Sequence, residues 1–273
     1  MTRITSEAAP ASSEQVQHIV EMIQTQVPLM VEKYLGSYEA GVRFIANGAE
    51  VTDAVRDAVR DIVRRFSAEV SDYGLAQPIL GVDFITPEEV TKARPGIVYT
   101  NEQITALAGS LPPEDVLKWC KANGFAVIPA PPTAMSTLDV QDIQFADFCS
   151  KTDGWYADQK FAREDRASFG WLLVKKTPVK GSTRKTWGGW RGQVKLLSPL
   201  ERVPNAAEMS WFITTYFEVR GARLFEGIYV RTSSRDSNGH RVFVGNFGAD
   251  GLYVDYWNDG LCSGSLGVAS ARK

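Results

Sequence analysis

Ser233, Asp236 and His240 are the residues whose types most invite a catalytic reading. A hydroxyl, a carboxylate and an imidazole perform acyl transfer when a base and its orienter are held against a separate nucleophile. Here all three crowd one hairpin tip, "SSRDSNGH", where a polar turn accounts for them. "GSTRKT" (Gly181 to Thr186) echoes a phosphate loop, but Arg184 stands where a glycine must precede the lysine. Asp250, Asp255 and Asp259 could offer oxygens to calcium, yet no D-x-[DN]-x-[DN]-G loop exists, and Gly251 and Gly260 make Asp-Gly turns at Asp250 and Asp259 the simpler account. Cys120, Cys149 and Cys262 form no CxxC, and the two histidines are His18 and His240. The expectation is a chain with no catalytic residue, no metal and no cofactor.

The same region suits display better than catalysis. In "RVFVGNF", Val242 and Val244 have the spacing of a buried strand face, which turns Phe243 to the other side. In "GLYVDYW", Leu252 and Val254 repeat the pattern, so Tyr253 and Asp255 point outward. Phe243 and Tyr253 are expected to share one exposed surface with Asn246, Asp255 and Tyr256. The spacing from Phe243 to Asn246 is three and not two, which predicts a bulge at Gly245 that returns Phe247 to the core.

The elements that must carry this surface read as α+β. "NAAEMSWFITTYFEVRG" is a helix with Asn205 as N-cap, Glu208 three residues on and Gly221 as its stop. Short strands with turn signals follow: "GIYVRTSS", "HRVFVGNF", "LYVDYW" and "LGVASARK". Leu266 and Val268 are expected to be buried in a paired final strand. Upstream, "SFGWLLVKKTPV" is a strand entry, and "LPPEDVLKWCKANG" is a helix from about Pro113, stopped by Gly124 before the strand "FAVIP". A proline-rich break near Pro129 to Thr137 suggests a boundary, with a mainly helical region at 12–135 and a second domain at 136–273. The helical region includes an amphipathic pattern at 12–36, opened by a Ser12/Gln15 capping box, and another at 52–70. Residues 1–11 read as a disordered tail.

Bulk composition narrows the partners. The chain has 273 residues, 44% of them hydrophobic, and a formal net charge of -2, which argues against nucleic-acid binding through a basic footprint. No apolar run approaches the roughly 20 residues that span a bilayer, so no membrane insertion is expected. The N-terminus lacks the apolar stretch of a secretory signal, which predicts cytoplasmic synthesis and leaves localisation, virion or surface association included, open.

The frame "VPNAAEM … RLFEGIYVRTSSRDSNGHRVFVGNFGADGLYVDYW … LGVASARK", with "GWLLVKKTPVKGSTRKTW" upstream, resembles the variable proteins of diversity-generating retroelements. The likeness covers about Phe169 to Lys273. "KTWGGWRGQVKLL" departs from the family's frame, which puts the local loop and not the fold in doubt. The resemblance implies a C-type-lectin-like domain of the formylglycine-generating-enzyme type, whose last segment is rewritten by a reverse transcriptase. Adenines are replaced, so that AAC codons become NNC codons, which cannot encode Lys, Glu, Gln, Met or Trp. From Gly227 through Arg272 there is no Lys, Glu, Gln or Met, and the single Trp, Trp257, belongs to the family's fixed frame. The variable region would lie at about 235–265. Its ligand-binding positions would be Asn238, His240, Phe243, Asn246, Tyr253, Asp255, Tyr256, Asn258, Leu261, Cys262, Ser263 and Ser265, all NNC-encodable.

The implied function is a diversified, receptor-type binding protein whose unknown ligand is a protein or cell-surface molecule. Tight hairpins also favour Asn, Asp, Gly, Ser and Tyr, which supplies a structural account of part of the pattern. Two other functions stay open. One is a formylglycine-generating-type enzyme, which would need Cys149 and Cys262 to meet as a pair. The other is an undiversified viral or structural adhesin.

Overall fold

The computed structural model describes residues 73–150, 154–188 and 192–273. The tail expected at 1–11 and the helices read at 12–36 and 52–70 lie outside the described residues. Helices α1 (Ala76–Leu80), α2 (Pro87–Ala93), α3 (Asn101–Gly109) and α4 (Glu114–Asn123) lead into strand β1 (Phe125–Pro129). Helices α5 (Thr137–Ile143) and α6 (Lys160–Glu164) follow, then strands β2 (Trp171–Lys175) and β3 (Glu201–Arg202). Helix α7 (Ala206–Arg220) precedes β4 (Tyr229–Arg235), β5 (Arg241–Gly248), β6 (Gly251–Trp257), β7 (Leu266–Val268) and β8 (Ala271–Arg272). The protein is a mixed helix-and-sheet fold, as the α+β expectation has it.

Local chemistry starts these helices. Asn205 accepts from the Glu208 amide at 2.8 Å, while the Glu208 carboxylate accepts from the Asn205 amide at 2.8 Å, a reciprocal cap that opens α7. Thr86 with Glu89, Thr100 with Gln103 and Ser136 with Asp139 do the same for α2, α3 and α5.

Two four-stranded sheets, ordered β1-β2-β8-β3 and β6-β5-β4-β7, flank α7. That helix is buried on every side from Ala206 to Tyr216, because it packs on β2 of one sheet and on β4, β5 and β6 of the other. Its Trp211 indole donates to the Pro129 carbonyl at 2.9 Å, and the Arg94 guanidinium lies 4.3 Å from the Trp211 ring. Burial pulls the Arg94 pKa down to about 10, since the charged form loses water.

The expected boundary at 135/136 does not separate two cores. β1 lies before it and pairs antiparallel with β2 beyond it, from Phe125 opposite Lys175 to Pro129 opposite Trp171. Ile85, Val90, Ile97 and Leu107 share one apolar cluster with Val230, Val242 and Val244, and the compact unit runs from Ser71 to Lys273. The prolines after β1 end that strand and begin the connection through α5 and α6 that returns to β2; proline density reports the end of the ladder and not the limit of a core. Among the described residues no helix is long and apolar enough to cross a membrane.

The C-terminal octapeptide joins both sheets. β7 pairs parallel with β4, and three residues later Ala271 of β8 lies opposite both Val174 of β2 and Arg202 of β3. Leu266 and Val268 are 3% and 0% exposed. Their burial contributes roughly 1.5–3 kcal/mol each, besides the central strand lost from the first sheet. Deletion of residues 266–273 is therefore expected to abolish the cooperative thermal transition followed by circular dichroism. An unchanged transition would refute the placement.

Candidate ligand-binding face

Cross-strand partners in a sheet share a face, so the register sorts the expected binding residues. One row of the second sheet is Tyr229, Gly245 and Tyr253, and the next is Arg231, Phe243 and Asp255. The opposite face carries Val230, Val244 and Val254, with Val242 and Leu252, all buried against α7. The Tyr229 ring touches Phe243 at 4.9 Å and Tyr253 at 6.3 Å, both edge to face, so the outer aromatics are contiguous.

The bulge falls where the spacing puts it. The β5–β6 register shifts between Gly245 and Gly248, and Phe247 is fully buried. Gly245 has φ 141°, and a Cβ there would lie 2.4 Å from the Ile228 carbonyl oxygen. Asn246 follows at φ 45° and donates from its side-chain amide to the Tyr229 hydroxyl at 3.1 Å.

Two placements differ from expectation. Phe243 is on the outer face but only 7% exposed. Tyr256 is on the other face, opposite Val242, because neighbours in a strand alternate and Asp255 already points outward. It packs on Trp155 at 4.4 Å and stacks on the His240 ring at 5.6 Å and 13°.

Two loops meet as a roof over Arg231, the cross-strand neighbour of Phe243. Residues 179–188 and 258–265 bond to one another, Arg184 N–H to the Ser263 carbonyl at 2.8 Å and Trp187 N–H to that of Asp259 at 2.9 Å. Arg231, fully buried beneath them, is the hub. Its guanidinium donates to the carbonyls of Asn258 at 3.3 Å, Leu261 at 2.9 Å and Lys185 at 3.4 Å, and to Gln193 Oε1 at 2.9 Å. Gln193, also fully buried, donates onward to the carbonyls of Ser182 at 2.9 Å and Leu266 at 3.1 Å. Burial lowers the Arg231 pKa and the Asp259 carboxylate opposes that. Neither Arg231 nor Gln193 is singled out by the sequence. Each occupies an ordinary polar position, with no spacing signal to mark it.

The expected residues thus fall into three groups. Phe243, Asn246, Tyr253 and Asp255 belong to the outer face. Asn258, Leu261, Cys262, Ser263 and Ser265 ride on the roof loop, where Asn258, Cys262 and Ser265 are exposed. His240 and Tyr256 stack at the end of the sheet, and Asn238 is exposed at the β4–β5 tip. Asp236 closes that tip, accepting from the amides of Asn238 at 2.9 Å and His240 at 2.7 Å and facing His240 Nδ1 at 3.1 Å. The Ser233 main chain turns elsewhere, to the Pro204 carbonyl and the Arg241 guanidinium.

The chain matches no protein-family model, no curated protein and no solved structure. Its chemistry must be read from the site alone. All three cysteines are free. The Cys149 main-chain amide donates to the Leu252 carbonyl near the start of β6, whereas Cys262 sits in the loop beyond the strand's other end. The Cys149 thiol beside Tyr253 raises that phenol to about 12. Asp255 is raised by burial, opposed by its hydrogen bond from the Tyr256 amide. Asp259 faces Arg235 and Arg241 at 4.0 and 3.9 Å. Among the described residues no group of three or more His, Cys, Asp or Glu could hold a metal ion.

Proposed function

We propose that this chain is a non-enzymatic ligand-binding protein that displays exchangeable side chains on a fixed support, the variable protein of a diversity-generating retroelement with a C-type-lectin-like domain. Its ligand is a protein or cell-surface molecule. The observation that carries the reading is how the roof loop is held. Arg231 grips Asn258 and Leu261 through main-chain carbonyls, and Arg184, Trp187 and Tyr229 grip Ser263, Asp259 and Ser265 the same way. A loop anchored by its backbone keeps its course whatever side chains it carries. Those side chains come from a restricted alphabet, without Lys, Glu, Gln or Met from Gly227 through Arg272. Tyr and Phe supply rigid contact area, and Ser, Asn and Gly supply adaptable hydrogen bonds, as in a paratope.

The test is the DNA around the gene. A second, near-identical copy of the sequence encoding about residues 235–265 is expected beside a reverse-transcriptase gene, differing from the first at template adenines. Differences at all four bases alike, or no second copy, would overturn the diversification reading.

A further inference from the structure

We propose that the loop between β2 and β3 settles on the surface of a membrane containing anionic lipid, with the aliphatic side chains of 194–200 at the headgroups and lysines and arginines around them. The contact lies on the bilayer and spans nothing. It does not depend on the ligand-binding reading above.

The stretch "VKLLSPL" turns apolar side chains to solvent: Val194 and Leu196 are 39% exposed and Leu200 is 47% exposed. Three of the nine large apolar residues most open to solvent among the described residues fall within these seven positions. Single exposed apolar residues need no explanation, but a run of them marks a contact surface. The run has a firm base. Gln193, fully buried at its start, donates to the carbonyls of Ser182 and Leu266, and its main-chain amide donates to the Thr186 carbonyl at 2.9 Å. These bonds lay 182–186 beside the run and hold it in place before anything docks, so docking orders little new chain.

Charge names the occupant. From Arg166 through Leu200 the sequence has eight Lys or Arg and no Asp or Glu. Arg166 and Lys176 pair with Asp139 and Asp83, whereas Lys180, Arg184, Lys185 and Lys195 meet no carboxylate among the described residues. The Lys273 ammonium bonds the Pro199 carbonyl at 2.8 Å. The first acid after the run, Glu201, accepts from the Ser198 amide at 2.7 Å and the Ser270 hydroxyl at 2.8 Å. The same face of a second copy would set cations against cations, and a nucleic acid would leave the aliphatic side chains in water. Anionic headgroups above acyl chains answer both, and lysine stems extend along apolar surface while their charges stay in water.

The experiment floats the full chain with vesicles of phosphatidylcholine alone and with vesicles that also carry phosphatidylglycerol. Partition onto the anionic vesicles is expected to be about tenfold stronger and to fall as salt rises. The pair Leu196→Ser and Leu200→Ser removes apolar contact and keeps every charge; the pair Lys180→Gln and Lys195→Gln does the reverse. Each pair should melt as the parent does and weaken the partition about fivefold. Should the leucine pair not fold, the lysine pair, whose side chains are exposed, decides the matter. Equal partition onto the two vesicles, none onto either, or partition that a folded variant pair leaves undiminished would overturn the inference. Undiminished partition by the leucine pair, with polyglutamate displacing the vesicles, would assign the loop to an acidic protein instead. The ligand-binding reading stands or falls separately, on the template DNA.

Discussion

Arg231→Met is expected to destabilise the protein by about 3 kcal/mol, since each buried polar group left unpaired costs about 1–3 kcal/mol. The substitution strands Gln193 Oε1 and the carbonyls of Asn258 and Leu261, all of which now face the guanidinium. Replacing a buried charge by an apolar side chain can be neutral when its partners are replaced too. Here the partners stay, and three are main-chain groups that no side-chain change removes. Arg231→Lys should rescue little, because one ammonium cannot reproduce a planar fork aimed at four acceptors. Denaturant unfolding measures the loss, and amide exchange across 258–265 should rise in both variants. A Met variant as stable as the parent, with the loop equally protected, would remove the anchor and with it the argument that the loop tolerates any side chain.

The second large effect separates two residues that one-dimensional reasoning puts in the same class. Phe243→Ser is expected to cost about 3–5 kcal/mol, as large-to-small changes at packed aromatic sites do, because Phe243 is 7% exposed and packed against Tyr229. Simultaneous replacement of Asn238, Asn258, Cys262 and Ser265 by other NNC-encodable residues should cost at most about 0.5 kcal/mol each, the usual size of surface effects. All four are exposed. Thermal melting of the fourfold variant beside Phe243→Ser checks the contrast. A fourfold variant that unfolds while Phe243→Ser melts normally would invert the assignment of fixed and exchangeable positions.

Alternation and capping carried much of the fold. Asn205 with Glu208 marked the start of α7 and Gly221 its end, since a cap depends on residues within one turn of each other. Val242 and Val244 of β5 and Leu252 and Val254 of β6 identified the core face, and the offset at Asn246 located the bulge, since side-chain direction in a strand follows from residue parity. The same reciprocal caps, Thr86/Glu89 and Thr100/Gln103, open α2 and α3, helices too short for apolar periodicity to mark. Alternation says which way a side chain points but not what lies over it. Phe243 points outward as its parity requires and is nevertheless buried, against Tyr229 and beside Arg231, over which residues 179–188 and 258–265 meet. Strand β1 belongs with β2 because their registers match, not because of any sign at the prolines between them. Arg231 looks like one more outward polar residue of "YVRTSSR" and becomes the anchor only when carbonyls from two distant loops converge on its guanidinium. Faces, caps and bulges are local consequences of backbone geometry and were determined by the sequence alone. Cover and convergence depend on which distant segments come together, and only the tertiary structure decided them.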